Sequence, residues 1–248
     1  MVVQAEEGLI TTSARILVAT AVPAERDAVA RAFASPVEHV PLPGTELIRT
    51  AAGWDLLDAG VGPARAAASA SAALTAARLA GTPYHLVVSA GIGGGFQPEA
   101  PVGSLVVADR ITVADLGAET ADGFLPVTDL GFGTVTHRPP RSLVRAATQA
   151  TGAPAGTVLT VSTVTGTAAR AAELRTRHPR ALAEGMEGFG VAEAAAAHGA
   201  PVLEVRAVSN PVGPRNRAAW RIGDALTALT EAFGKLAPVL ESWNRHDE

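Results

Sequence analysis

The chain has 248 residues with a formal net charge of -4, from 20 basic and 24 acidic side chains, and 48% of its residues are hydrophobic. That length and balance suit one α/β domain with a well-buried core, and the lack of a basic stripe argues against a nucleic-acid scaffold. With no cysteine in the sequence, disulfides, thiolate metal sites and a cysteine nucleophile are excluded.

The six histidines form no close His-x-x-x-His pair, so no metal and no cofactor is expected. No apolar run reaches membrane-spanning length. Met1 to Ala14 contains Glu6 and Glu7 and lacks a positive start, so it reads as a short extension and not as a signal peptide. The expected arrangement is one domain over residues 15–248, in the cytoplasm.

Arg15 to Thr20 is apolar throughout after its first residue, as a buried parallel strand should be. Ala21-Val-Pro-Ala-Glu25 opens a helix to about Phe33, with Pro23 and Glu25 suited to its first turn. Leu47–Ala51 and Trp54–Ala59 read as strands joined at Gly53. Gly60-Val-Gly-Pro-Ala-Arg65 is a tight loop before an Ala-rich helix, Ala64 to Ala80. Tyr84 to Ala90 is the next buried strand, followed by a glycine-rich turn, Gly91-Ile-Gly-Gly-Gly95. Gly103–Asp109 is a strand, and residues 111–136 are irregular, as functional or mobile loops are. Arg141–Ala150 is a helix, Thr157–Ser162 a strand and Ala168–Arg177 a helix. Ala183–Gly199 reads as a small-residue helix with Glu187 near its start. An apolar strand then ends at Ser209 and Asn210, and Gly223–Ser242 is an amphipathic helix. Strands alternating with helices predict a three-layer α/β sandwich, a mostly parallel sheet with helices on both faces.

Several polar groups stand out, each with a plain structural reading beside a functional one. Gly91 to Gly95 lacks the following helix of a dinucleotide fingerprint and the Gly-Lys-Ser/Thr of a phosphate loop. A ligand-approaching backbone and a simple strand-end turn both remain open for it. Glu25 and Glu187 can each be a helix-dipole carboxylate. Asn210 can cap a turn, yet a carboxamide closing an apolar strand is costly without partners, and ligands sit at such strand ends.

Taken together, these positions resemble the nucleoside phosphorylase and nucleosidase superfamily over Arg15 to about Trp243. Ala21-Val-Pro-Ala-Glu25 resembles the opening of its methylthioadenosine and adenosylhomocysteine nucleosidases, where the Glu activates water. Gly60-Val-Gly-Pro and Ser89-Ala-Gly-Ile-Gly-Gly resemble its two glycine loops. Gly185-Met-Glu187 matches its ribose-binding Met-Glu. Arg206-Ala-Val-Ser-Asn210 matches its Arg-x-x-Ser-Asp strand end, with Asn for Asp. Asn210, Pro211 to Trp220 and Val161 to Thr167 narrow the resemblance to a hydrolytic subgroup that releases hypoxanthine.

The resemblance implies catalytic roles for Glu25, as general base to water, and Asn210, at the base. It implies substrate binding by Glu187, Met186, Gly91, Ile92, Gly93, Ser209, Arg206, Gly166 and Thr167. Phe96 or Phe189 would stack on the base. A small-molecule nucleoside is the implied partner, with neither nucleic acid nor membrane, and a homo-oligomer is implied, for which the Ala-rich helix 64–80 would suit. A methylthioadenosine-type nucleosidase, a phosphorylase of the same fold and a non-catalytic nucleoside-binding protein are the rival readings.

Overall fold

The computed structural model describes residues 15–33 and 37–243; the extension expected at 1–14 lies outside them. In chain order the strands are β1 (Ile16–Thr20), β2 (Val37–Leu42), β3 (Thr45–Thr50), β4 (Trp54–Asp58), β5 (Leu86–Gly95), β6 (Leu105–Val113), β7 (Gly117–Thr120), β8 (Gly123–Pro126), β9 (Thr136–His137), β10 (Ala155–Thr160), β11 (Ala181–Gly185) and β12 (Val202–Pro211). The helices are α1 (Pro23–Ala30), α2 (Pro63–Leu79), α3 (Arg141–Thr151), α4 (Ala168–Arg177), α5 (Gly188–Ala197) and α6 (Ile222–Ser242). Among these residues no helix is long and apolar enough to cross a membrane.

Ten strands form one sheet in the order β11-β10-β6-β12-β5-β1-β4-β3-β2, with β9 beside β6. Its centre is parallel: β1 runs with β4 and β5, and β5 with β12. Alternation along β1 assigns the two faces. Leu17 and Ala19 join a core with Ala66, Ala70, Val191 and Ala195 of α2 and α5. Ile16 and Val18 join another with Val29, Leu143 and Phe233 of α1, α3 and α6. Successive strand residues point to opposite faces, so one apolar run feeds both layers.

The expected three-layer α/β sandwich is therefore the fold, with three local corrections. Gly91–Gly95 is not a turn but the second half of β5. It pairs with β12 along its length, and Gly94 and Gly95 also pair antiparallel with Glu184 and Ala183 of β11. The glycines permit that double pairing: a Cβ on Gly93 would stand 2.6 Å from the Glu184 carbonyl oxygen, and one on Gly95 2.1 Å from that of Ala100. Glycine inside a strand marks such close backbone approach. Ala183–Gly185 is consequently strand and not helix, and the helix begins only at Gly188. Residues 111–136 are not wholly irregular; they hold the end of β6 and the β7–β8 hairpin. The strand β2 had no expectation, because its exposed, Pro-containing Val37–Leu42 lacks a buried face.

Where α5 crosses α2, a Cβ on Gly190 would meet the Pro63 carbonyl oxygen at 2.0 Å. Backbone cannot swing aside as a side chain does. Gly190→Ala is expected to destabilise the fold by about 1–3 kcal/mol, as overpacking does, read as a lower urea midpoint at unchanged slope.

Candidate active site

The polar residues gather at the carboxyl ends of β1, β5 and β12. Pro23 starts α1 just after β1, and its first turn turns Glu25 inward, where it is buried. One carboxylate oxygen of Glu25 accepts from the Ala21 N–H at 2.9 Å, the other from the Ile92 N–H at 2.8 Å. Burial raises the Glu25 pKa above the usual carboxylate value; Arg206 and these two N–H groups pull the other way. The helix-dipole explanation is thus incomplete, because a carboxylate serving only the dipole has no need to be buried against a neighbouring strand.

Glu187 sits at the N-cap of α5, brought there by the end of β11. It too is buried, and it accepts from Arg206 Nη1 at 3.2 Å and from the Gly62 N–H at 3.3 Å. The Gly60 loop therefore closes on the same carboxylate as the strand end does. Arg206 is 1% exposed. Burial opposes its charge, but Glu204, Glu187 and Glu25 outweigh that and raise its pKa. Its Nε donates to Glu204 at 2.9 Å and its Nη2 to the Ser89 hydroxyl at 3.3 Å.

Gly91 lies between the two halves of this cluster. A Cβ there would stand 2.7 Å from both Arg206 Nη1 and Glu25 Oε1. Three carboxyl groups surround one guanidinium, over a backbone floor that carries no side chain at Gly91.

The base end follows along the same strands. Asn210 pairs in register with Gly94. Its Oδ1 lies 2.9 Å from the Ser209 hydroxyl, which is also 3.2 Å from the Gly93 carbonyl oxygen, and its Nδ2 donates to the Pro211 carbonyl at 3.0 Å. Each end of a carboxamide can make two hydrogen bonds, and each end of Asn210 makes one of them.

Of the residues expected at the site, Glu25, Gly91, Ile92, Met186, Glu187 and Arg206 come together, and Gly93, Ser209 and Asn210 adjoin them. Met186 takes part through its N–H, 3.3 Å from Glu187 Oε2. Gly166 and Thr167 lie on a separate loop. The Thr167 hydroxyl caps α4 by accepting from the Arg170 N–H, and the Gly166 carbonyl accepts from the Arg215 N–H. Neither aromatic ring presents a free face. Phe96 is 1% exposed and packed among Leu159, Val161 and Leu174, and Phe189 is buried against His137.

Three buried carboxyls were missed, of which Asp55 pairs with Arg15 and Arg49 and the other two lie on the strands of the site. Glu184 receives the backbone N–H and the hydroxyl of Thr165, pinning the 161–167 loop to β11, and burial raises its pKa despite those bonds. Glu204 holds Arg206. The signal for Glu204 was present: a carboxylate inside Val202-Leu-Glu-Val, two residues from Arg206, shares its strand face.

Comparison with known proteins gives the family. The family model for the phosphorylase superfamily matches residues 15–241. A futalosine hydrolase of Streptomyces coelicolor is 79% identical over 232 residues, covering 94% of this chain and 99% of that protein. The chain belongs to the futalosine hydrolases of the phosphorylase superfamily. A second futalosine hydrolase, from Acidothermus cellulolyticus, is 46% identical over 229 residues, covering 90% of this chain and 91% of its own length. The solved futalosine hydrolase of Helicobacter pylori superposes with a TM-score of 0.77 at 17% identity, covering 92% of this chain and 98% of that one. At that identity the likeness concerns the fold.

Proposed function

We propose that the chain hydrolyses the N-glycosidic bond of futalosine and releases hypoxanthine, in the futalosine route to menaquinone, acting in the cytoplasm as a homo-oligomer. The observation that carries the reading is the pair of buried carboxylates, Glu25 and Glu187, converging with Arg206 on the bare Gly91 backbone. Breaking this bond builds positive charge on the ribose, as in oxocarbenium-like transition states. Carboxylates fixed in place before reaction favour that charge.

In this reading Glu187 accepts from the ribose hydroxyls and Glu25 takes a proton from the attacking water. Asn210 uses its free N–H on O6 of the purine and its free oxygen lone pair on a protonated N7, with Ser209 orienting it. Water is favoured over phosphate as nucleophile. A phosphate beside Glu25 would meet a buried like charge, and the charge of Arg206 is already opposed by Glu204 and Glu187.

The test is incubation with futalosine, inosine and methylthioadenosine, each with and without phosphate. Hypoxanthine and a free ribosyl product from futalosine without phosphate are expected. A phosphate requirement would transfer the chain to phosphorolysis, preferred cleavage of methylthioadenosine to the adenine-releasing nucleosidases, and saturable binding without turnover to a binding protein.

A further inference from the structure

Glu204 and Arg206 occupy alternate positions on β12, and both are fully or almost fully buried. Glu204 Oε1 takes the Arg206 Nε–H, whereas Oε2 is buried without a hydrogen-bond partner. A Cβ on Gly188 would come within 2.2 Å of both Glu204 carboxyl oxygens. The carboxyl thus lies against the first residue of α5, the residue after Glu187. The three guanidinium nitrogens have three different partners, Glu204, Glu187 and Ser89, which fixes the planar group in orientation as well as place.

We propose that Glu204 is a positioning residue of the hydrolytic centre: it fixes Arg206, sets how much guanidinium charge falls on Glu187, and takes up a proton at Oε2 as the pH falls. This rests on the reading of Glu187 as the sugar-binding carboxylate. The groups that face Glu204 are Arg206 on its own strand, Glu187 at the start of α5 and the neutral Ser89 paired with it on β5. Burial pushes Glu204 up to about 7; Arg206 opposes the rise and Glu187 adds to it.

Ionised Glu204 shares the Arg206 charge, so Glu187 keeps more negative charge for the ribosyl cation. Protonated Glu204 leaves Arg206 to neutralise Glu187. Turnover therefore gains from Glu204 ionisation as pH rises through about 7. Stability runs the other way. The folded pKa lies above the ordinary carboxylate value of 4.5, so the folded state holds this proton more tightly than the unfolded chain. That contribution is complete below the unfolded pKa and is lost as pH rises through the folded one.

Glu204→Gln keeps an acceptor for Arg206 Nε and removes the ionisation. Its kcat should converge with that of the wild type below pH 6 and fall about tenfold short at pH 8.5, the size of one pKa unit of lost interaction. Its melting temperature relative to wild type should rise between pH 5 and 8. Parallel kcat–pH profiles would overturn the charge sharing, and a pH-independent difference in melting temperature would overturn the proton uptake. If the wild type proves to hydrolyse no nucleoside, the proposed activity fails, and the melting comparison alone decides the proton. Should the Gln variant not fold, Glu204→Asp keeps an ionisable carboxyl at the same place and draws it away from Arg206. A shifted inflection near pH 7 in kcat supports the assignment, and an unshifted one overturns it.

Discussion

Glu25→Gln is expected to retain nucleoside binding and to lose turnover by about 10²–10⁴-fold, the usual contribution of a general base. The substitution is close to isosteric. The amide oxygen can accept from only one of Ala21 and Ile92, and the NH2 then faces the other N–H, donor against donor, so a loss of about 1–3 kcal/mol in stability accompanies the substitution. What disappears is a group that can take a proton from water. The wild-type pH profile supplies a second reading. Burial raises the Glu25 pKa, and only the ionised form accepts a proton. Activity should therefore fall as pH drops through a value above the ordinary carboxylate range, and the Gln variant should lack that limb. Single-turnover assays with a parallel binding measurement separate the cases. A variant that binds and still turns over at the wild-type rate would remove Glu25 from the mechanism.

Asn210→Asp should move the preference from 6-oxopurines towards 6-aminopurines, raising the adenosine-type to inosine-type ratio of kcat/KM by about 10²-fold or more. Sites built around buried hydrogen bonds discriminate on that scale or above it. The carboxamide now gives one N–H to the Pro211 carbonyl and receives the Ser209 hydroxyl. An ionised Asp would set a carboxylate against that carbonyl, both acceptors, in a buried position. Relief comes by protonation, and a carboxylic acid presents a donor and an acceptor suited to N7 and an exocyclic amine. An unchanged ratio, with the variant folded, would sink this account of base selection. A ratio that rises while total activity falls is the expected compromise, because Ser209 and Gly93 remain arranged for an amide.

The layered fold was legible because periodicity reports burial directly. The run from Ile16 to Thr20 and that from Val202 to Val208 are buried on both faces and read as strands. Glu25, Glu187 and Asn210 were legible as polar groups in apolar surroundings, and their order along the chain supplied the resemblance. The errors share one physical origin. Gly93 lacks a side chain because the backbone of β11 crowds it, and Gly91 and Gly185 because Arg206 does, whereas local propensity reads small residues as turn or helix. Glycine is chosen there by long-range contact, such as the 2.6 Å approach of a Gly93 Cβ to the Glu184 carbonyl, which no local window contains. Thr167 has a local structural explanation instead. Its hydroxyl is fully explained one turn away, at Arg170.

The second half of β5 also decides where this enzyme can be altered. Gly91, Gly93, Gly94 and Gly95 each meet a neighbour within 3.0 Å when given a single Cβ, and Ile92 offers the site its N–H and not its side chain. The floor is therefore closed to mutation, and new substrates must be sought through the walls. Asn210, whose carboxamide stands at the end of β12, is the position a library should vary. A library spread over β5 would mainly return unfolded protein.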